Sequence, residues 1–123
     1  MAGITYTAIP NEQVYSRLCS EAQLGTYTSY IRGVRCKTEE EFFREISASF
    51  QFPWYFGENW AALDECICDL EWLKFRRILV LVNDFSKIFN GNKKLQELLI
   101  KYLAYAADYW ESENISFEIV LNN

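Results

Sequence analysis

The residues best suited to recognition chemistry lie in one segment of the chain, residues 57–71. The segment has no Lys or Arg and contains five acidic residues: Glu58, Asp64, Glu65, Asp69 and Glu71. The other 12 of the 17 acidic residues balance the 12 basic ones, so the net charge of −5 is concentrated here. Such a patch attracts a basic partner and speeds the encounter with it. It argues against direct binding of nucleic acid, which requires Lys and Arg to neutralise phosphates.

The residue types do not indicate enzymatic catalysis. The chain has no histidine, no phosphate-binding glycine loop and no nucleophile elbow. Asp64 and Glu65 are adjacent on a predicted helix and point about 100° apart, so they cannot flank one substrate bond. We therefore predict a binding protein and not an enzyme.

The cysteine pattern and the hydropathy indicate a cytoplasmic protein. The four cysteines form no paired CxxC framework: Cys19, Cys36, Cys66 and Cys68. We predict no metal site and no cofactor, and we expect reduced thiols, some of them packed as small apolar residues. The N-terminus lacks a basic region followed by an apolar stretch. The longest aliphatic run, residues 78–82, is far shorter than the ~20 residues of a membrane helix.

A helix is predicted to carry most of the acidic residues. Asn59 is a suitable N-cap for a helix over residues 60–70. Its buried side is predicted to consist of Trp60, Leu63, Ile67 and Leu70. Three further residues follow the spacing i, i+4, i+8 and so share another side: Ala61, Glu65 and Asp69.

An aromatic loop, residues 52–57, precedes this helix. Pro53 is predicted to end the previous helix, and Gly57 to supply a turn conformation that a side chain would oppose. Trp54, if exposed, would be a strong interface anchor, because Trp is over-represented at binding hot spots.

The remaining elements predict an α/β fold. A strand over residues 3–9 and a helical pattern from Pro10 to Gly25 come first. Thr38 and Glu41 form a capping box, which starts a helix whose buried face is Phe42, Phe43, Ile46 and Phe50. Asp84 is a possible cap for a short helical turn, and Asn90 begins a turn before the last helix. Strands are predicted over residues 26–34, 76–82 and 115–121, and the last helix over residues 93–111, with Leu95, Leu98, Leu99, Tyr102, Ala106 and Tyr109 facing inward.

Helices between strands imply right-handed crossovers, and hence a parallel sheet of at least three strands. The strand over residues 76–82 is nearly all aliphatic and is expected to be central, covered on both faces.

Residues 52–66, FPWYFGENWAALDEC, resemble the signature of the barstar family. That signature has a Pro, an aromatic pair, Gly-Glu-Asn, and a helix in which acidic residues precede a Cys. The element order matches from about residue 27 to residue 121. The resemblance implies a single barstar-like domain over residues 1–123, with a short N-terminal extension (1–25) and a family-matching core (26–121). It also implies inhibition of a small secreted ribonuclease, as an immunity or antitoxin protein.

The resemblance assigns roles residue by residue, but unevenly. Tyr55 matches the first interface tyrosine, and Phe56 replaces the second without its hydroxyl. Ala61 stands where the first interfacial aspartate is expected. Glu65 stands at the main inhibitory aspartate and keeps its charge. Asp64 replaces an aromatic residue and could compensate for Ala61.

A further acid expected on the last helix falls near Tyr109, where Asp108 or Glu111 could serve. The implied partner-binding set is Trp54, Tyr55, Phe56, Gly57, Glu58, Asn59, Ala61, Asp64, Glu65 and Asp69. The implied partner is a basic ribonuclease or nuclease toxin, bound by a monomer in a 1:1 complex. The alternative is an adaptor or immunity protein that binds a toxin other than a ribonuclease, at a site away from this helix.

Overall fold

The computed structural model, which describes residues 3–123, has four strands and four main helices. Two 3₁₀ segments, Gly33–Arg35 and Phe85–Gly91, follow the second and third strands. The elements are β1 (Ile4–Thr7), α1 (Asn11–Gln23), β2 (Tyr27–Arg32), α2 (Glu39–Phe50), α3 (Trp60–Ile67), β3 (Arg77–Asn83), α4 (Lys93–Ser112) and β4 (Ser116–Asn122).

The strands form one parallel sheet in the order β1-β4-β3-β2. The predicted α/β class and parallel sheet are confirmed. β3 lies between β2 and β4, and residues 78–83 are all buried, so the prediction of a central strand covered on both faces is also confirmed. Alternate residues of β3 serve two cores: Ile78, Val80 and Val82 face one, while Leu79 and Leu81 face the other.

Helices cover both faces of the sheet. The larger core contains buried residues of α2, α3 and α4, and the smaller one packs Val14 of α1 against Leu79, Leu81 and Val120. From β1 to β2 the chain crosses the whole sheet in one direction, and from β2 through β3 to β4 it returns. Because each crossover between parallel strands is right-handed, a connection that runs across the sheet in one direction lies on one face, and a connection that runs back lies on the other. α1 therefore covers the face opposite α2, α3 and α4.

The N-terminal segment is an integral part of the sheet. The strand predicted within residues 3–9 is β1, which pairs with β4, and the helical pattern after Pro10 is α1. Asn122 of β4 is buried and donates to the Asn83 side chain at 2.8 Å. Its side-chain oxygen accepts from the Thr7 hydroxyl and the Ile9 amide, both at 2.8 Å. This network joins the end of β1 to the sheet.

The second helix begins as predicted. The Thr38 hydroxyl accepts from the Glu41 amide at 3.1 Å, and the Glu41 carboxylate accepts from the Thr38 amide at 3.2 Å. The predicted apolar face of α2 is buried: Phe42, Phe43, Ile46 and Phe50.

Two predictions at the carboxyl edge of the sheet are wrong. β2 ends at Arg32 and not at residue 34, because residues Gly33–Arg35 form a 3₁₀ turn. Gly33 lies so close to the chain at the end of β3 that a Cβ there would collide with the Asp84 carbonyl oxygen. Asp84 makes no side-chain cap. Its backbone is left-handed (φ 51°), whereas a capping residue is usually extended.

The inward face of α4 is predicted only in part. Leu99 and Ala106 are buried, but Tyr109 is 36% exposed, contrary to the prediction. Trp110 takes the inward place instead, and its indole N–H donates to the Ile67 carbonyl at 2.8 Å. Among the described residues, none of the helices is both long enough and apolar enough to span a bilayer.

Candidate functional site

The aromatic loop between α2 and α3 is anchored at its two ends. α2 ends at Phe50, where Gln51 is left-handed (φ 56°), so the helix stops before Pro53, which was predicted to end it. Phe52 stacks on Phe50 with ring centroids 5.7 Å apart, and Phe56 lies 4.8 Å from Phe52.

Between these anchors the loop presents two aromatic side chains to solvent. Trp54 is 95% exposed and Tyr55 is 53% exposed. Phe56, in contrast, packs against the core. The predicted binding residues of this loop are therefore divided into two exposed rings and one that holds the loop in place.

The turn into α3 is built differently from the prediction. The left-handed residue is Glu58 (φ 51°), and Gly57 has no positive φ. Gly57 is needed for space: a Cβ there would lie 3.2 Å from the side-chain nitrogen of Asn59. That nitrogen donates to the Gly57 carbonyl at 3.1 Å, so a larger residue would press on this contact.

Asn59 is the N-cap of α3, as predicted. Its side-chain oxygen accepts from the Ala62 amide at 2.8 Å. One side chain thus closes the turn and starts the helix.

Trp60 fixes the first turn of α3 to the core, as predicted for its place on the buried side. Its ring stacks on Phe42 and on Tyr102, with centroids 5.8 and 5.3 Å away. Its indole N–H donates to the Glu39 carboxylate at 2.7 Å. The helix is therefore held against both α2 and α4.

The outer surface of α3 carries the central acid. Leu63, Cys66 and Ile67 are buried, whereas Ala61 and Glu65 are exposed. Asp64 is partly buried on the flank that faces α4.

α3 is shorter than predicted and ends at Ile67, not at residue 70. Leu70 is left-handed (φ 44°) and still buried. Because Asp69 follows the last helical turn, the i, i+8 argument for it is wrong. It remains exposed near the end of α3.

The pKa values of Tyr55 and Tyr109 are both raised by desolvation and by negative charges near α3. Partial desolvation, followed by the nearby charges of Asp69, Glu71 and Glu65, raises the pKa of Tyr55 above its ordinary value. Partial desolvation, then Glu113, Cys68 and Asp69, raise the pKa of Tyr109. Asp69 contributes to both shifts, so it lies near both the aromatic loop and the last turns of α4.

Glu71 and Glu113 also carry negative charge near these tyrosines, although neither was among the predicted binding residues. Glu113 lies beside Tyr109 because the two are four residues apart at the end of α4, but the nearness of this end of α4 to Asp69 depends on how α4 packs. One of the predicted acidic residues, Glu58, already has a basic neighbour, since its carboxylate lies 3.9 Å from the Arg44 guanidinium.

Exposed aromatic side chains lie in the segments before and after α3 and on α4. Trp54 and Tyr55 lie in the loop before α3, Tyr105 (61% exposed) and Tyr109 lie on α4, and Phe75 lies between α3 and β3. Aromatic residues are enriched at protein interfaces, where they supply large contact areas. The arrangement suits a surface that binds another protein.

Two cavities adjoin this surface. One, of about 280 Å³, lies between α3 and α4. The other, of about 460 Å³, lies beyond the end of α3 and is lined by residues that include Asp69, Phe75 and Trp110. In residues 3–123, no three Cys, Asp or Glu side chains come together as a metal site would require.

A family model described as Barstar (barnase inhibitor) matches residues 26–122. This chain belongs to the barstar family. The predicted membership and barstar-like α/β fold are confirmed, and the description of the family is that of a barnase inhibitor. β1 and α1 precede the matched range. The comparison with curated proteins gave no match.

Proposed function

We propose that this barstar-family protein is an immunity or antitoxin protein that inhibits a small basic ribonuclease by covering its active site with α3 and the aromatic loop. The observation that carries the proposal is an exposed carboxylate, Glu65, on the outer surface of a helix fixed to the core. Trp54 and Tyr55 are exposed in the loop that leads into this helix. All four cysteines are free, which suits action in the cytoplasm of the cell that makes it.

The chemistry follows from what a ribonuclease must bind. Its active site holds a phosphate, and it is therefore lined with Lys, Arg and often His. The Glu65 carboxylate can take the place of that phosphate and accept charge-assisted hydrogen bonds, which are bidentate when the donor is Arg. Tyr55 and Trp54 can cover the surface on which an RNA base would stack.

Two departures from the family pattern favour a target other than barnase itself. Ala61 offers no acceptor where the family pattern has an aspartate, and Phe56 has no hydroxyl and packs inward. We therefore expect weak binding to barnase and tight binding to a nuclease whose cationic pocket is shaped differently.

The test is a pull-down from the source organism with this chain as bait, followed by an RNA-degradation assay with the captured nuclease. Glu65→Lys should keep the fold and weaken binding by at least about 2 kcal/mol, or roughly 30-fold, as reversals at hot spots do. Calorimetry with the captured nuclease measures the affinity.

The matched control is Glu12→Lys, which makes the same charge change at an exposed position of α1, on the opposite face of the sheet. It should bind as the natural sequence does. If Glu65→Lys binds as tightly as Glu12→Lys, α3 does not occupy the active site.

The alternative, an adaptor or an immunity protein for another kind of toxin, would bind its partner away from α3. One exposed aromatic residue lies on the other face of the sheet: Tyr15 of α1 is 70% exposed. This hypothesis requires that Tyr15→Ser abolishes partner capture while Glu65→Lys leaves it intact, the reverse of what inhibition through α3 requires.

A further inference from the structure

The segments that follow β2 and β3 form a basic surface at the carboxyl edge of the sheet, called here the basic edge. Residues 33–38 and 85–94 contain no Asp or Glu, and they include five of the 12 basic residues: Arg35, Lys37, Lys87, Lys93 and Lys94. The two segments meet in the fold, since the Phe89 amide donates to the Cys36 carbonyl at 2.7 Å. A chain with a net charge of −5 thus has a positive region that the proposed function does not use.

A cavity of about 340 Å³ opens in the basic edge. It is lined by residues of both segments: Val34, Lys37, Ser86, Lys87, Asn90 and Gly91. The two ammonium groups, the hydroxyl and the side-chain amide can all donate hydrogen bonds. The cavity lies beyond the carboxyl ends of β2 and β3, the edge of the sheet at which α/β proteins commonly bind ligands.

The positive charge of the basic edge is not neutralised by ion pairs. In residues 3–123, none of the five basic side chains forms an ion pair. The glutamates that follow the first segment, residues 39–41, have other partners. They accept from the Trp60 indole and from the Lys37 and Thr38 amides, and one lies 3.6 Å from the Arg44 guanidinium. An anion would therefore meet lysines that have no competing partner.

The start of α4 adds to this positive charge. α4 begins two residues after Gly91, and its first turn contains Lys93 and Lys94 but no acidic residue. The N-terminal end of a helix is itself positive and is stabilised by negative charge. The lysines and the helix end therefore favour an anion together.

The wall of the cavity formed by residues 86–91 is held in place by the core. Gln96 of α4 is buried, and its side-chain amide donates to the Ser86 and Ile88 carbonyls at 3.2 and 3.0 Å. The buried Phe89 ring lies 5.3 Å from Phe42. A ligand would therefore bind without having to order this segment, which lowers the cost of binding.

We propose that the cavity of the basic edge binds a phosphate group, either free or carried by a nucleotide. Lys37 and Lys87 supply the charge, and the Ser86 hydroxyl and the Asn90 amide donate to the phosphate oxygens. The inference goes beyond the proposed function and does not depend on α3.

Phosphate suits this cavity better than other anions do. Its oxygens carry about two negative charges near neutral pH and accept several hydrogen bonds at once, so one group can engage both lysines and the neutral donors. A carboxylate carries a single charge. No aromatic residue is among those that line the cavity, so it offers no surface on which a base could stack.

The test uses inorganic pyrophosphate as the probe and the full chain at low salt. We expect saturable NMR shifts of the Asn90 and Gly91 amides. Adenosine diphosphate distinguishes the two sources of the phosphate. Affinities that agree within roughly threefold would show that the phosphates alone are recognised, as expected without stacking, whereas tighter binding of the diphosphate would identify the nucleotide.

Three variants separate the cavity from the general field of the basic edge. Lys37→Met and Lys87→Met should each weaken pyrophosphate binding at least roughly fivefold, because each removes a charge-assisted hydrogen bond. Lys93→Met removes the same charge from the same surface but outside the cavity, and should weaken binding by less than roughly twofold. All three side chains are exposed, so the fold should be kept.

Asp84 gives the opposite expectation. It lies in the turn that carries Lys87, whose amide donates to the Asp84 carbonyl at 2.9 Å. Asp84→Asn removes a negative charge beside the cavity and should strengthen pyrophosphate binding. Asn suits the left-handed backbone of this position as well as Asp does.

The proposal is overturned if pyrophosphate causes no saturable shifts, or if the three lysine variants lose affinity equally, since the attraction would then be general. A tetraglutamate peptide that binds as tightly as pyrophosphate would also overturn it. The basic edge would in that case be a docking surface for an acidic segment of a protein.

Discussion

At the scale of single residues, the site depends on a few side chains that each make two contacts. Asn59 closes the turn and caps α3. Trp60 stacks on the core and donates to Glu39. Glu65 makes no such contact and remains exposed, which leaves its carboxylate free for a partner. The supporting residues are thus distinct from the one proposed to bind.

Removal of the Asn59 cap should affect both stability and binding. Asn59→Ala leaves the Ala62 amide without its acceptor, and such a loss costs about 1 kcal/mol of stability. Because the first turn of α3 is then less stable, we expect the affinity for the partner to fall as well. Urea unfolding and calorimetry measure the two effects.

Asn92 offers a matched control, since its side chain caps α4 by accepting from the Leu95 amide at 3.1 Å. Asn92→Ala should cost similar stability and leave partner binding nearly unchanged. Equal losses of affinity in both variants would mean that binding follows overall stability and not the start of α3.

At the scale of elements, β1 and α1 complete a sheet that the matched family range alone would leave open on one face. Val14, in the middle of α1, is 3% exposed and packs on Leu79, Leu81 and Val120. The segment regarded from sequence as an extension therefore provides one of the two cores.

Truncation within this smaller core should be measurable. Val14→Ala removes two buried methyl groups and should lower the free energy of unfolding by about 1.5 kcal/mol. Val34→Ala makes the same change at a residue that is 45% exposed, and should cost much less. Similar urea midpoints for both variants would show that α1 contributes little to stability.

Elements whose signals are local were predicted well. The capping box of α2 and the Asn59 cap of α3 depend on residues three positions apart, so the sequence contains the whole interaction. The aliphatic run of β3 likewise predicted its central position, because burial on both faces needs apolar residues throughout.

Features that depend on distant residues were not predictable. The 3₁₀ turn that follows β2 begins where Gly33 meets the chain after β3, and Tyr109 is exposed because Trp110 packs on Ile67. The left-handed conformation lies at Glu58 and not at Gly57, and no local residue pattern indicated this. Of the candidate site, the acidic helix and loop were predictable, whereas the nearness of Tyr109 and Glu113 to the end of α3 required the packing of α4.

At the scale of the whole molecule, carboxylates on the two faces of the sheet have separate roles. The acidic residues around α3 remain exposed for a partner. On the other face, a buried carboxylate, Glu21, accepts hydrogen bonds from Arg17, Thr26 and Arg77 at 2.9, 2.8 and 3.3 Å. Arg17 also donates to Glu118 of β4 at 2.8 Å. These bonds attach α1 to the sheet.

Stability should therefore fall in acid. Burial opposes ionisation of Glu21, but the hydrogen bonds from Thr26, Arg17 and Arg77 outweigh it and hold the pKa of this carboxyl below its ordinary value. A group with a lowered pKa stabilises the fold above the ordinary value near 4.5, and this contribution is lost as the pH falls through the folded-state pKa.

Urea unfolding at a series of pH values from about 6 to about 3 tests this linkage. Glu21→Gln should be less stable than the natural sequence near neutral pH, and the difference should narrow as the pH falls. Glu12→Gln, which changes an exposed carboxylate of the same helix, serves as the control. A Glu21→Gln difference that stays constant across the series would contradict the assignment.

The four tryptophans have unequal environments, so their intrinsic fluorescence can follow both unfolding and partner binding. Trp60, Trp72 and Trp110 pack against the core and donate their indole N–H groups to protein oxygens, so their fluorescence should change when the chain unfolds. Trp54 stands almost entirely in water. A partner that covers it should shift its emission to shorter wavelength and shield it from a dissolved quencher, so that complex formation can be followed without a label.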